Sequence, residues 1–440
     1  MTRFSQIVRI ASSTALAAGA VLGAVFPATV ASAQEEPSEK FMRVREDSAQ
    51  GPVRLELSIR TLRPTEDGKP IVHLVGVAHI AQPAYYRALQ SFLDKQDLVL
   101  FEGVGPDWMS VPEDATDDRR AGATRGRMRF VAGAAERQRL AMGGYPVTVE
   151  TLLAQAEPYE RRQIADALVD GWNRELIYEV GKDDPSRLTL LSFGADAEPG
   201  GSEGEADIAL ADLPPITPEE LGSGDGLQSQ LATATGLVFQ LDSIDYSSEK
   251  WVNADMTVGE LFGVTADDGL GAPGDGDADS LMGLLSGEST MAKIMGGILK
   301  LIGSSEYSRS IFRLAMIEML GRSEELMELA APQMGGDLFE RIITERNAFV
   351  IDAVREAIDE EDTPGSIAVF YGSGHMPGLE STLLEEDGYL VDETTWLPAI
   401  VVDYDSSGIP PRQGAFFRSM ISRSIERQVE MMRRMAPTPD

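Results

Sequence analysis

The chain has no cysteine. Its stability therefore rests on packing alone, with no disulfide to assist, and a lipid-modified amino terminus of the bacterial type is excluded. Histidine is almost as scarce: three in 440 residues, at positions 73, 79 and 375. Basic residues are outnumbered 38 to 71 by acidic ones, a formal charge of −33. A surface of that sign repels nucleic acid and anionic lipid. After residue 33 no apolar run reaches the ~18 residues that a membrane-spanning helix needs.

The segment 1–33 has the pattern of a secretory signal. Arg3 and Arg9 lead an apolar, alanine-rich stretch from Ile10 to Val30, and Ala31-Ser32-Ala33 is a cleavage site. An uncleaved anchor is the alternative, and the polar Gln34-Glu35-Glu36 after it speaks against it. The segment 1–33 holds no twin-arginine pair, so the general secretory route is expected, with a periplasmic or secreted product cut after Ala33. Removal of Arg3 and Arg9 leaves 36 − 71 = −35. Solubility is the plain reading of that charge.

The pattern along the chain predicts an α/β fold. Its mostly parallel sheet comes from amino- and carboxy-terminal segments, with a large, mainly helical insertion between them. Residues 34–50 read as a disordered lead-in, and 51–405 as one α/β domain. Ile71 to Ala78 is a near-continuous apolar run, as in a parallel strand buried on both faces. Pro83 opens a helix with Tyr86, Leu89 and Leu93 on one face, and Asp97 to Glu102 is the next strand, which completes one βαβ unit. The insertion, 106–335, predicts helices at Arg119–Met142, Thr148–Leu153 and Tyr159–Val180. It carries two acidic, glycine-rich stretches, 195–225 and 266–280, expected to be flexible. Asp275-Gly276-Asp277-Ala278-Asp279 lacks the glycine and glutamate of a calcium loop, and Gly200-Gly201-Ser202-Glu203-Gly204 lacks the strand that a nucleophile elbow needs. Met291 to Ile302 reads as helical core, or as the lining of an apolar groove. A long helix is expected at Asp337–Ile358, with Phe339, Ile342, Ile343, Phe349 and Val350 on its apolar stripe. Strand Ile367–Tyr371, helix Pro377–Glu385 and strand Leu397–Asp403 come next. Residues 406–440 hold a basic amphipathic helix, expected to pack on the body of the protein rather than on a membrane.

Two segments match in kind. Gly76-Val77-Ala78-His79 and Gly372-Ser373-Gly374-His375 each end an apolar run in Gly-x-x-His. Glu102 ends a third such run. Ligands in open α/β sheets bind beyond the carboxyl ends of the strands, so His79, Glu102 and His375 are expected to meet there and to hold a divalent metal (Mn, Co, Zn or Fe). Gly76 and Gly372 allow the tight exit from the sheet. An unpaired Glu102 at the end of a buried strand is costly, so it needs a metal or an arginine. His73, six residues before His79 on the same strand, belongs to the far end (79 − 73 = 6). Arg346 lies on an otherwise apolar helix face. Its roles would be to pair with Glu102 or to polarise a substrate carbonyl, unless it snorkels to the surface.

These residues, with Glu345-Arg346-Asn347, resemble the TraB/PrgY/GumN/Tiki superfamily over residues 70–405. The erythromycin esterase and ChaN-like proteins share the layout. The resemblance implies an exported, metal-dependent hydrolase, a peptidase acting on peptides or proteins, with a peptide or other small molecule as substrate, His79, Glu102 and His375 as ligands and Glu102 and Arg346 as catalytic residues. Its alternative is a non-catalytic protein that binds haem, iron or a peptide.

Overall fold

In the computed structural model the described residues are 41–112, 114–182, 184–202, 205–216, 221, 227–262, 299–300, 302–323, 340–360 and 362–435. The segment 1–33, the acidic stretch 266–280 and most of 291–302 lie outside them.

Twelve strands are described: β1 Met42–Glu46, β2 Val53–Pro64, β3 Ile71–Val77, β4 Ile80–Ala81, β5 Leu98–Phe101, β6 Ile177–Val180, β7 Leu188–Ser192, β8 Ile208–Ala209, β9 Val238–Phe239, β10 Trp251–Asn253, β11 Ser366–Gly372 and β12 Tyr389–Val402. The longer helices are α1 Pro83–Leu93, α2 Asp117–Met142, α3 Glu306–Leu320, α4 Arg346–Asp359, α5 Met376–Glu385 and α6 Pro411–Met435.

The main sheet runs β1-β2-β3-β11-β5-β10, with β12 also on β2. Its centre, β3, β11, β5 and β10, is parallel, and β1, β2 and β12 add antiparallel neighbours. The fold is thus α/β, built from both ends of the chain. Side chains alternate across the central strands. Val75, Val77, Val99, Phe101, Ala368 and Phe370 face one core with Tyr85, Leu89 and Leu314. Val72, Leu74, Leu100, Ile367, Val369 and Tyr371 face another with Val350, Val354 and Leu379. Helices therefore cover both faces, which is why β3 and β11 are mostly apolar, with His73 and Ser366 toward their starts. Each fully buried aliphatic side chain contributes about 1.5–3 kcal/mol.

The insertion has its own core, in which α2 packs with the antiparallel sheet β6-β7-β8. It differs from expectation in two places. The helix that starts near Tyr159 stops at Ala167, because Gly171 lies against the Arg120 backbone and Asn173 takes a positive φ of 61°. β8, with Ile208 buried, falls inside the acidic stretch 195–225. The lead-in is ordered from Phe41 onward: that side chain is buried and β1 pairs with β2, so apolar burial and a strand ladder replace the expected disorder.

Candidate functional site

Strand register delivers the site. β11 pairs with β3 so that Gly372 lies opposite Val77, and with β5 so that Phe370 lies opposite Phe101. The three strands end level, and the residues just beyond them leave the sheet on one edge. The two Gly-x-x-His turns touch: Ser373 N–H donates to the Val77 carbonyl at 3.1 Å. A β-carbon on Gly76 would come within 2.9 Å of Ser373 Oγ, so glycine is required for that approach. A β-carbon on Gly372 would sit 3.1 Å from Glu102 Oε2, 3.7 Å from His79 Nε2 and 3.9 Å from His375 Cδ2. His79, Glu102 and His375 therefore converge in front of Gly372.

Each histidine is set by an amide. His79 Nδ1 lies 2.8 Å from Gln240 Oε1, while Gln240 Nε2 donates to Tyr246 Oη at 3.0 Å. His375 Nδ1 lies 2.8 Å from Asn347 Oδ1, while Asn347 Nδ2 donates to the His375 carbonyl. In both cases the amide nitrogen is used elsewhere, so the imidazole donates from Nδ1 and keeps a lone pair on Nε2. Burial lowers the pKa of both. Burial and the neighbouring Arg346 bring His375 down to about 3.

Glu102 is held by fixed donors. Oε1 accepts from Arg346 Nη2 at 2.6 Å and Oε2 from Gly372 N–H at 2.6 Å. Burial alone would raise the carboxyl, but Arg346 above all, then the two histidines and the Gly372 N–H, bring it down to about 2. Arg346 is 0 % exposed and uses every N–H it has. Nε and Nη2 clamp the two oxygens of Asp255 at 2.8 and 2.7 Å, Nη2 also serves Glu102, and Nη1 reaches the Ile342 carbonyl and His375 Nε2, each at 3.4 Å. Burial pushes Asp255 up against the pull of this cation.

Arg346 thus pairs with Glu102, one of the roles expected for it. The other role, polarising a substrate, does not fit a side chain that is enclosed and fully engaged. A divalent metal does not fit as the residues stand. Glu102 gives Oε1 to a guanidinium and Oε2 to a backbone N–H, and among the described residues no group of three His, Cys, Asp or Glu is arranged around a cation position. His73 is separate, 3.1 Å from Thr61 Oγ1 and edge-on to Phe92. Asp255 and Gln240 are site residues that the sequence pattern did not single out, and Asn347 entered it only as part of Glu345-Arg346-Asn347.

Among known families, residues 113–211 match type II secretion system (T2SS), protein G. That is 211 − 112 = 99 of the 440 residues, the part of the insertion that holds α2 and β6 to β8, and it contains none of the site residues. No curated protein and no solved structure matches the chain. The match corrects the resemblance drawn from the Gly-x-x-His pair, since the family found is not TraB/PrgY/GumN/Tiki. With that resemblance goes the function it implied, whether metal-dependent hydrolase or haem-, iron- or peptide-binding protein. Among the described residues no helix is long and apolar enough to cross a membrane.

Proposed function

We propose that the chain is an enzyme in which His79 moves a proton to or from a small substrate bound in front of Gly372. One observation carries this reading. His79 is half-buried rather than enclosed, its Nδ1 is anchored on Gln240, and its Nε2 has no protein partner among the described residues. A neutral imidazole with a free lone pair at a solvent-facing edge is equipped to act as a base. Ionised Glu102, close to His79, stabilises the imidazolium formed when the proton is taken. Arg346 and Asp255 hold that carboxylate in place. His375, enclosed and hydrogen-bonded at both ring nitrogens, is a positioning residue in this scheme.

The test needs no prior substrate. A small-molecule cell extract in deuterated water is incubated with wild type or His79→Gln, with and without a chelator, and compared by mass spectrometry. At least one compound is expected to gain deuterium or be consumed only with wild type. Identical profiles from the two proteins would sink the proposal.

The match at 113–211 favours a second reading, of place rather than chemistry. We propose that α2 with β6-β7-β8 is a contact module for a type II secretion apparatus, which suits an exported protein. Cross-linking in cells that carry such an apparatus should capture its components through residues 113–211. Capture that persists when the module is replaced by a linker would argue against it.

A further inference from the structure

α6 has two unlike faces. The inner face is fastened to the body: Ile425 and Val429 are buried, Arg418 pairs with Glu46 and Glu318, and Glu426 and Ser422 accept from Arg322. The outer face carries Arg412, Phe416, Met420, Arg423, Arg427, Met431 and one acid, Glu430, which fall within an arc of about 100° at 3.6 residues per turn. Phe416, Met420 and Met431 are 68 %, 48 % and 50 % exposed. Among the described residues, Arg412, Arg423 and Arg427 have no carboxylate partner. Arg423 reaches only Ser419, and Arg427 Nη1 is enclosed without an acceptor.

On a chain with 71 acidic residues, arginines without carboxylate partners on an apolar stripe point to an anionic ligand outside the molecule. At the start of the same helix an apolar cleft of about 320 Å³ opens between Ile311, Phe312, Ala315 and Phe417. Gln413 ties the helix to Tyr307 on that cleft's rim at 2.7 Å. We propose that the outer stripe of α6 is a peripheral docking surface for an anionic lipid layer. The apolar side chains enter the interface, and the exposed Arg412 and Arg423 meet lipid phosphates. The overall negative charge does not forbid the contact, since charges beyond about 8 Å are largely screened at physiological salt.

The test is sedimentation of the full chain with vesicles of phosphatidylglycerol mixed with phosphatidylcholine, against vesicles of phosphatidylcholine alone. Binding is expected only to the anionic vesicles. It should weaken roughly fivefold for each of Arg412→Gln and Arg423→Gln. It should weaken also in the Phe416→Ser, Met420→Ser double variant, with unchanged melting curves. No binding, or equal binding to neutral vesicles, overturns the proposal. So does a dimer in solution that the same variants abolish. Equally tight binding to polyaspartate, indifferent to Phe416 and Met420, would assign the stripe to an acidic polypeptide instead.

Discussion

His79 and His375 are alike in composition of the motif and unlike in surroundings. Both are neutral because burial disfavours the imidazolium, but only His79 keeps an unengaged nitrogen at the edge of the fold. Gly372 leaves the space between them open. Gly372→Ala should move the imidazole NMR signals of His79 and His375 and leave those of His73 in place, a readout made simple by a total of three histidines. Signals that stay fixed would mean that the three side chains do not meet there. Arg346→Leu should cost about 3–5 kcal/mol in urea unfolding, because it leaves Glu102 and Asp255 buried without their cation. A loss under about 1 kcal/mol would contradict the enclosed ion-pair network. The histidine pair, Glu102 and Arg346 were legible because each ends an apolar run or interrupts one. Asp255 and Gln240 were not. One lies just past a three-residue strand and the other opens a four-residue helix, which are too short to show a period, and their partners are distant in sequence.

At the scale of elements, long buried strands and the helices after them were readable, since period and turn residues agree with the fold over many residues. What escaped was phase. The helix before Arg346 is π-helical over Glu340–Glu345, and its wider turn rotates α4 about the common axis. Phe349, expected on the apolar stripe, faces solvent, while Arg346, Asn347, Val350 and Val354 face inward. A hydrophobic count at constant pitch cannot register that extra residue. The insertion offers a sharper test of packing. Gly171→Ala would place a β-carbon against the Arg120 carbonyl oxygen, a backbone atom that cannot swing aside. A loss of about 1–3 kcal/mol is expected, together with faster proteolysis between residues 113 and 211. Unchanged proteolysis would show that this loop relaxes freely.

For the whole molecule the site fixes a response to acid. His375 titrates near 3 in the fold against 6.5 as a free side chain, and His79 is lowered too, so the unfolded chain binds protons first as pH falls. The stability His375 confers is complete above 6.5 and is lost on the way to 3, at about 1.4 kcal/mol per pH unit, and His79 acts in the same direction. Glu102 adds to the loss below its ordinary 4.5, being held at about 2. Asp255, pushed up from 3.8 by burial, opposes the trend. Urea midpoints should therefore fall steadily between pH 6.5 and about 4. A flat profile there would mean that the histidines are not held neutral.

The touching of the two Gly-x-x-His turns also bears on when the site comes into being. His79 and His375 are 375 − 79 = 296 residues apart, and β11 must seat between β3 and β5 before Gly372 can offer its N–H to Glu102. A chain emerging from its amino terminus carries His79 and Glu102 early and lacks their counterpart until nearly all of it has appeared. Any chain cut short before residue 366 lacks β11, and with it Gly372 and His375, whatever it has already folded. If the protein is threaded through a membrane on its way out, the site stays incomplete throughout the passage and closes only once the far end arrives.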